Sequence, residues 1–445
     1  MSKYLKSIKG TQDILPAQSH KWQFIEHCIR ETAQLYGYSE IRTPVFEKTE
    51  LFARSVGDAT DVVQKEMYTF DDKGGRSVTL RPELTAGAAR SFIEHGLFNE
   101  ALPVKVYYVG GCYRYEKPQS GRLREFHQFG IECFGAASAG ADAEVIAVAD
   151  RLLKRLSLKN IELKINSIGC PVCRAEYNAA LTAYFEQHLG SLCPTCIERL
   201  ERNPMRILDC KSPICSEIAA GAPTTLEHLC GECAEHFESV KKYLTAMEIP
   251  FTVDPRIVRG LDYYTKTVFE FVSGDLGAQS TVCGGGRYDG LISQLGGPDT
   301  PSLGFAMGLE RLLLIMEAQG FDFPAPAPIE IYIAPMGEEA AMKAAALCGQ
   351  LRAEGFSAVT DTAGRGLKAQ MKYADKLGAR RILVIGDDEL KSGVAELKDM
   401  SSGERVSVKL KEGLVSAVYD QSIHAALGEL TGAVEKKFPP VDTGM

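Results

Sequence analysis

Apolar residues recur at helical spacing over residues 17–36, where Trp22, Ile25, Ile29 and Tyr36 share one face. Gly37 follows as a stop signal. The pattern then changes to alternation. SEIRTPVFE (39–47), SVTLRP (77–82) and VKVYYVGGCYRYE (104–116) read as strands, with Pro44 at an edge or bulge. FHQFGIECFG (126–135) reads as a strand pairing with 104–116 across the polar loop 117–125. Long polar-tipped hairpins usually carry function. Residues 142–156 are amphipathic and helical, and IELKINS (161–167) is a strand. A cysteine-rich block, 170–233, then breaks the pattern with helical runs such as 175–189, as an inserted small domain would. Strand-like sequence resumes over 250–274, and 304–319 reads as a strongly apolar helix.

PAPAP (324–328) is a stiff linker and the clearest boundary in the chain. Beyond it, strand-like segments at 329–335, 356–360 and 381–387 alternate with helical ones at 338–353 and 366–377. That alternation predicts an α/β domain. The expected organisation is a body over 1–325 with an insertion at about 169–248, an α/β domain over 326–425, and a frayed tail over 426–445.

Composition narrows the class. A chain of 445 residues accommodates about three folding units. At 45% hydrophobic and 24% charged it is neither collagen-like nor disordered. The net charge of −8 disfavours a simple nucleic-acid-coating protein, though not a local basic patch. No run of 18 apolar residues is present, so no membrane-spanning helix is expected. The start, MSKYLKSIKGTQDILP, lacks the apolar core of a signal peptide. A cytoplasmic protein is the expectation. The P-loop, the G-x-G-x-x-G fingerprint, the H-E-x-x-H helix and the G-x-S-x-G elbow are all missing from the sequence. Any ATP chemistry must therefore use another scaffold.

Four segments place charge where a sheet would be apolar. TLRPELTAG (79–87) carries Arg81, Glu83 and Thr85 at alternate positions, one face of a strand. CYRYE (112–116) puts Arg114 and Glu116 on one face, and Gln128 and Glu132 lie in the strand after the loop. RGLDYYTKT (259–267) sets Arg259 beside Asp262, Tyr263 and Tyr264. Buried strand charges are costly unless paired or bound to a ligand. Ion pairing within the sheet would explain any one segment, whereas four together favour a polar ligand site. Arginine suits phosphate because its fork donates in pairs. GGGRYDG (284–290) is a glycine-rich loop that either cradles a ligand or makes a tight turn. Arg311 stands alone in the apolar run 304–317, where a snorkelling surface role is the ordinary one.

With these residues in view, the chain resembles the bacterial histidyl-tRNA synthetases, a family of class II aminoacyl-tRNA synthetases. KGTQDILP (9–16) looks like that family's start, and residues 40–47 look like the class II dimer motif ending in proline. Residues 108–135 resemble the second class II motif and 304–314 the third. RGLDYY (259–264) resembles a peptide particular to the histidine-specific members, and TLRPELTAG and CGGGRYDG also match. The resemblance spans residues 3 to about 423.

It implies an α+β catalytic domain on an antiparallel sheet, a helical insertion and a C-terminal anticodon-binding domain. It implies activation of L-histidine by ATP with Mg²⁺, then transfer to tRNA(His), by a homodimer. Carried over by residue, Glu83, Thr85 and Gln128 would hold the α-amino end of histidine. Glu132 and Tyr264 would bind the two ring nitrogens, with Tyr263 lining the pocket. Arg114 and Arg259 would meet the α-phosphate, and Arg259 the histidine carboxylate. Arg122 and Arg311 would hold the outer phosphates, with Phe126 and Arg311 on either side of the adenine. Lys117 and Gln119, in the loop 117–125, would approach the tRNA acceptor end.

In the last domain Arg365, Lys368, Lys372, Lys376, Arg380 and Arg381 cluster with only Asp375 opposing. Lys368, Lys372 and Lys376 make one helical stripe. A charge run is ordinarily a solvated face. The resemblance puts the anticodon domain here and so favours RNA contact. A regulatory paralogue that partners ATP phosphoribosyltransferase is the alternative reading of the whole chain. A generic ATP-dependent ligase would have no use for the last domain.

Thirteen cysteines are present, and eight fall between Cys170 and Cys233. Cys170/Cys173, Cys193/Cys196 and Cys230/Cys233 are C-x-x-C pairs, with Cys210/Cys215 a looser fourth. Such pairs place two thiolates on one turn and suit structural Zn²⁺. Reduced cysteines packed in a helical insert, or a disulfide or redox role, remain the other readings.

Overall fold

A computed structural model of the chain describes residues 4–57, 60, 62–119, 121–208, 210, 212–275 and 281–423. It divides into two units, Met1–Pro324 and Ala325–Met445. The first unit runs α1 (Pro16–Leu35), β1 (Ser39–Glu40), β2 (Phe46–Lys48), α2 (Thr49–Val56), β3 (Tyr68–Asp71), β4 (Ser77–Leu80) and α3 (Thr85–Glu94). It continues through β5 (Val104–Tyr113), β6 (Glu125–Phe134), α4 (Ala139–Arg155), β7 (Ile161–Ser167), α5 (Pro171–Glu186) and α6 (Pro194–Arg202). α7 (Pro213–Ala220), α8 (Gly231–Ala246), β8 (Thr252–Val253), β9 (Thr265–Ser273), β10 (Thr281–Arg287), α9 (Leu291–Gln294), β11 (Ser302–Gly308) and α10 (Leu309–Ala318) complete it.

Eight strands form one sheet in the order β1-β5-β6-β11-β10-β9-β7-β8. The six central strands pair antiparallel, and the two short edge strands, β1 and β8, pair parallel. The antiparallel expectation thus holds for the centre and not for the edges. β2, β4 and β3 form a separate small sheet.

The period of two along each strand divides the large sheet into a dry face and a polar face. Phe129, Ile131 and Cys133 of β6, Phe269 and Phe271 of β9, and Leu303, Phe305 and Met307 of β11 join one core. Residues of α1, α4, α8 and α10, among them Trp22, Ile146, Val240 and Leu312, bury against it. Gln128, Glu132, Glu270, Gly304 and Ala306, the intervening positions, line a cleft on the other face. A one-residue slip of β6 would exchange Ile131 for Glu132, so burial of the dry face fixes the register. One buried ion pair fastens the sheet to α4: Arg287, fully buried at the end of β10, holds Asp142. His236 of α8 adds a contact to Asp142 at 3.3 Å.

Several expectations are corrected. Residues 39–47 do not form one strand: they split into β1 and β2, in different sheets, around the Pro44 turn. Arg81, Glu83 and Thr85 do not share a strand face, because β4 ends at Leu80 and Thr85 begins α3. Arg114 and Glu116 lie beyond the end of β5. Arg259–Tyr264 form a turn before β9 rather than a strand. The glycine-rich segment 284–290 is strand β10 as far as Arg287, and the expected helix from Gly304 begins as strand β11. Glycine runs read as loops by propensity, yet here they lie in a sheet that needs close backbone approach.

The second unit contains β12 (Ile331–Pro335), α11 (Glu338–Ala353), β13 (Ala358–Thr360), α12 (Leu367–Lys376), β14 (Arg381–Ile385), α13 (Asp387–Ser392), β15 (Val394–Asp399) and β16 (Arg405–Lys409). Its sheet order is β13-β12-β14-β15-β16, parallel over the first three strands and antiparallel over the last pairs. The hairpin β15–β16 was not apparent in the sequence pattern. The expected tail, 426–445, lies outside the described residues. No helix among the described residues is long and apolar enough to cross a membrane.

Candidate active site

The cleft on the polar face has a volume of about 430 Å³. Glu83, Thr85, Arg114, Arg122, Phe126, Gln128, Glu132, Arg259, Tyr263, Tyr264 and Arg311 all border it. Eleven expected positions from five separated stretches of chain therefore meet in one place.

Its inner end is a carboxylate pocket. Glu132 is 1% exposed and accepts hydrogen bonds from Tyr108 Oη at 2.7 Å and from Tyr288 Oη. Burial pushes its pKa up to about 8, against the hydroxyl donors of Tyr288, Thr85 and Tyr108. Tyr108 Oη also lies 3.3 Å from Thr85 Oγ1. The Tyr263 ring lies tilted against Tyr264 and edge-on to Tyr288, with ring centroids 4.7 and 5.4 Å away. Glu83 accepts the backbone N–H groups of Thr85 at 2.7 Å and Ala86 at 2.9 Å, which caps the start of α3. Burial raises the Glu83 pKa despite those two donors. Gln128 Oε1 accepts from the Cys112 thiol at 3.3 Å.

Two glycines make this pocket possible. A Cβ at Gly304 would collide with the Glu132 carboxylate and the Ile131 carbonyl. A Cβ at Gly284 would occupy the space of the Arg259 guanidinium. The run that read as a loop is thus the floor on which two functional side chains lie.

Arginines gather at the outer end. Arg114 donates from Nε to the Pro82 carbonyl at 2.8 Å, and its guanidinium lies 5.3 Å from the centre of the Phe126 ring. Arg311 donates from Nη1 to the Thr281 carbonyl at 2.6 Å. Burial lowers the Arg311 pKa, and the like charges of Arg122 and Arg114 lower it further. Arg259 pairs with Glu270, which also accepts from Thr281 Oγ1 at 2.9 Å. Burial opposes the charge on Arg259, yet Tyr264 and Glu270 hold its pKa above the usual value. Like charges gathered this closely suit a ligand with several negative oxygens.

The loop after β5 is tied down. Arg122 pairs with Glu116, and Glu66 stands 3.9 Å from it. Gln119 and Arg122 exchange backbone hydrogen bonds at 3.0 and 2.9 Å, closing the loop. Arg124 donates its backbone N–H to the Gly10 carbonyl at 2.7 Å and lies 4.0 Å from the centre of the Tyr115 ring. Lys117 and Gln119 are exposed, outside the cleft. Arg81 is no ligand group: it donates to the carbonyls of Gly111 at 2.7 Å and Thr43 at 2.8 Å, joining β5 to the Pro44 turn.

A sequence model described as histidyl-tRNA synthetase matches residues 10–188 and 215–312, and one described as an anticodon binding domain matches 330–417. The chain belongs to the histidyl-tRNA synthetase family. It is 55% identical over 407 residues to the histidine–tRNA ligase of Caldanaerobacter subterraneus, covering 92% of this chain and 98% of that protein. It is 56% identical to the histidine–tRNA ligase of Thermoanaerobacter pseudethanolicus, covering 92% and 97%. The apo histidyl-tRNA synthetase of Staphylococcus aureus superposes with a TM-score of 0.80 at 42% identity, covering 93% of this chain and all of that one.

For a histidyl-tRNA synthetase, the sequence pattern still missed part of this cleft. Tyr288, Glu270 and Thr281 border it without a mark in the sequence, and Tyr108 stands behind Glu132. Tyr108 does alternate with Val106 and Cys112 on one buried face of β5, a usable signal. Tyr288 directly follows β10 and carried no such mark.

In the second unit, the basic cluster divides. Arg365 pairs with Asp361 at 2.7 Å and lies 4.2 Å from the centre of the Tyr373 ring. Arg380 and Arg381 pair with Glu330 at 3.1 and 2.7 Å, and Arg381 is 1% exposed. Arg381 is therefore an interior group, whereas Arg365 and Arg380 are ion-paired but partly exposed. Lys368, Lys372 and Lys376 stand exposed along α12.

Proposed function

We infer that the chain is a histidine–tRNA ligase. It condenses L-histidine with ATP to histidyl-adenylate, releasing pyrophosphate, and transfers histidine to the 3′ end of tRNA(His), releasing AMP. One observation carries this reading: a tyrosine-bound carboxylate pocket and a set of arginines share one 430 Å³ cleft.

In this reading a histidine carboxylate oxygen attacks the α-phosphorus and the bond to the pyrophosphate oxygen breaks. Negative charge gathers on the phosphate oxygens, and Arg114 and Arg259 stabilise it without needing to move. Arg122 and Arg311 hold the outer phosphates, and Phe126 and Arg311 flank the adenine. Arg122 must leave Glu116 to do so. Glu83, Thr85 and Gln128 take the ammonium end of histidine. Glu132 and Tyr264 take the ring nitrogens, with Tyr263 beside them. An amino acid lacking ring nitrogens leaves these groups unpaired, at about 1–3 kcal/mol each. Mg²⁺ neutralises phosphate charge when bound, and the carboxylates of Glu270 and Glu310 border the cleft where it would sit.

Lys117 and Gln119 approach the acceptor end, and Arg365, Lys368 and Lys372 contact RNA in the last domain. The same reading makes the enzyme a cytoplasmic homodimer. Val45 and Phe46, 42% and 59% exposed beside the Pro44 turn, support a dimer face there. The four-cysteine groups of the insert suit structural Zn²⁺. A regulatory paralogue is the weaker reading, because the anticodon-domain match, Arg114, Arg259 and Arg311 are all in place. Histidine-dependent ATP–pyrophosphate exchange, followed by charging of a tRNA pool, tests the proposal. Exchange driven by another amino acid, or none at all, refutes it.

A further inference from the structure

Eight cysteines lie outside the cleft and take no part in the chemistry above. They fall into two groups, Cys170, Cys173, Cys230 and Cys233, and Cys193, Cys196, Cys210 and Cys215, and within each group the sulfurs lie within 4.8 Å of one another. All eight are free thiols. Sulfurs stand 3.6 Å apart at Cys170–Cys173 and 3.9 Å apart at Cys193–Cys210. A disulfide needs about 2.05 Å. A tetrahedron built on Zn–S bonds of about 2.3 Å has edges of about 3.8 Å.

Backbone donors already point at the sulfurs. The Cys230 N–H donates to Cys173 Sγ at 3.1 Å, Cys193 N–H to Cys215 Sγ at 3.3 Å, and Ser212 N–H to Cys210 Sγ at 3.5 Å. Cys170, Cys193 and Cys230 each precede the first turn of a helix, where negative sulfur is favoured. The first group joins the entry and exit of the insert, between β7 and α8. The second encloses its far end. The histidyl-tRNA synthetase match leaves out residues 189–214, which hold three of the second group's four cysteines.

The turn inside the second group reaches the active site. Between Cys196 and Cys210, Asn203 Nδ2 donates to Asp262 Oδ1 at 3.3 Å. Arg206 Nη2 donates to the Gly260 carbonyl at 2.6 Å and to Asp262 Oδ1 at 3.2 Å. Met205 packs on both the core of the insert and the core containing Tyr263 and Tyr264. Gly260 and Asp262 sit between Arg259 and Tyr263. The Asp262 N–H also donates to the Val56 carbonyl, at 3.3 Å.

We propose that each four-cysteine group binds one Zn²⁺, and that the ion in the second group braces the Asn203–Arg206 turn against Gly260 and Asp262, positioning Arg259 and Tyr263 for histidine. Binding releases the thiol protons and leaves the sulfurs as thiolate ligands. Arg206 is a positioning residue, acting through the backbone it holds. This inference rests on the zinc and ligase readings above.

The test uses the full chain purified without added metal. Elemental analysis should find two zinc ions per chain, and Cys193→Ser with Cys196→Ser should leave one. Arg206→Ala should keep both ions, yet raise the histidine KM about tenfold in pyrophosphate exchange, the scale of one lost charge-assisted hydrogen bond. The ATP KM should rise less than the histidine KM, since Arg114 still meets the α-phosphate, and Arg206→Lys should recover much of the loss. Protein without zinc overturns the metal sites. Two zinc ions with an unaltered histidine KM in Arg206→Ala overturn the coupling, as does an equal rise in both KM values. Absence of histidine-dependent exchange in the unaltered chain overturns the ligase reading and the coupling with it, while zinc content still decides the metal.

Discussion

Glu132→Gln removes a titrating group while preserving its shape. The native carboxyl has a pKa of about 8, against 4.5 for an unburied glutamate. Between those values the folded protein retains a proton that the unfolded chain has lost. Stability therefore falls as pH rises across that window, by about 1.4 kcal/mol per pH unit. It is fully present below 4.5 and fully lost above about 8. An amide at this position keeps its partners, since the Tyr108 and Tyr288 hydroxyls can either donate or accept. From about pH 5.5 to 7.5 the unaltered protein should lose about 2–3 kcal/mol relative to Glu132→Gln. Urea denaturation of both proteins at the two pH values reads this difference, and other titrating groups cancel in the comparison. A difference that stays flat with pH refutes the assignment of a neutral, buried Glu132. The variant should also raise the histidine KM, because the substituted amide is a poorer partner for a ring N–H.

Arg259→His should lower histidine-dependent pyrophosphate exchange by at least about 100-fold, on the scale of lost transition-state charge stabilisation. Histidine binding by calorimetry should persist, weakened by the lost contact to its carboxylate, and full exchange activity would show that Arg259 has another role. Arg287→Met should destabilise the first unit by about 3–5 kcal/mol, since it strands the buried Asp142 carboxylate with His236 alone. Guanidinium denaturation measures it, and a loss under about 1 kcal/mol contradicts the pairing argument. Lys368→Ala with Lys372→Ala should weaken tRNA binding and flatten its salt dependence, at nearly constant pyrophosphate exchange. An unchanged salt slope assigns the α12 stripe to solvent.

Much of this protein was legible one segment at a time. Alternation in 126–135 already placed Gln128 and Glu132 opposite Phe129, Ile131 and Cys133, because strand geometry is local and its period is fixed. Helix α1, strand β7 and the Pro-rich boundary followed from equally local signals. The arginines that border the cleft were also identifiable by type, since only a few side chains suit phosphate.

The tertiary structure alone decided which groups face each other. Glu132 meets Tyr288 across 156 positions of sequence, and only the strand order β6-β11-β10 brings them together. The same order sets Arg259 over Gly284, turning a glycine run that looked like a loop into a strand with room for a guanidinium. Arg81 carried the same charge as Arg114 in the sequence, yet backbone carbonyls consume it while Arg114 borders the cleft. The spacing of the cysteines defined their pairs but not their partners: Cys170/Cys173 joins Cys230/Cys233 rather than the nearer Cys193/Cys196. Sequence patterning reports what a residue prefers over a few neighbours. Pairing, register and close approach depend on contacts between distant segments, which exist only once the chain has folded.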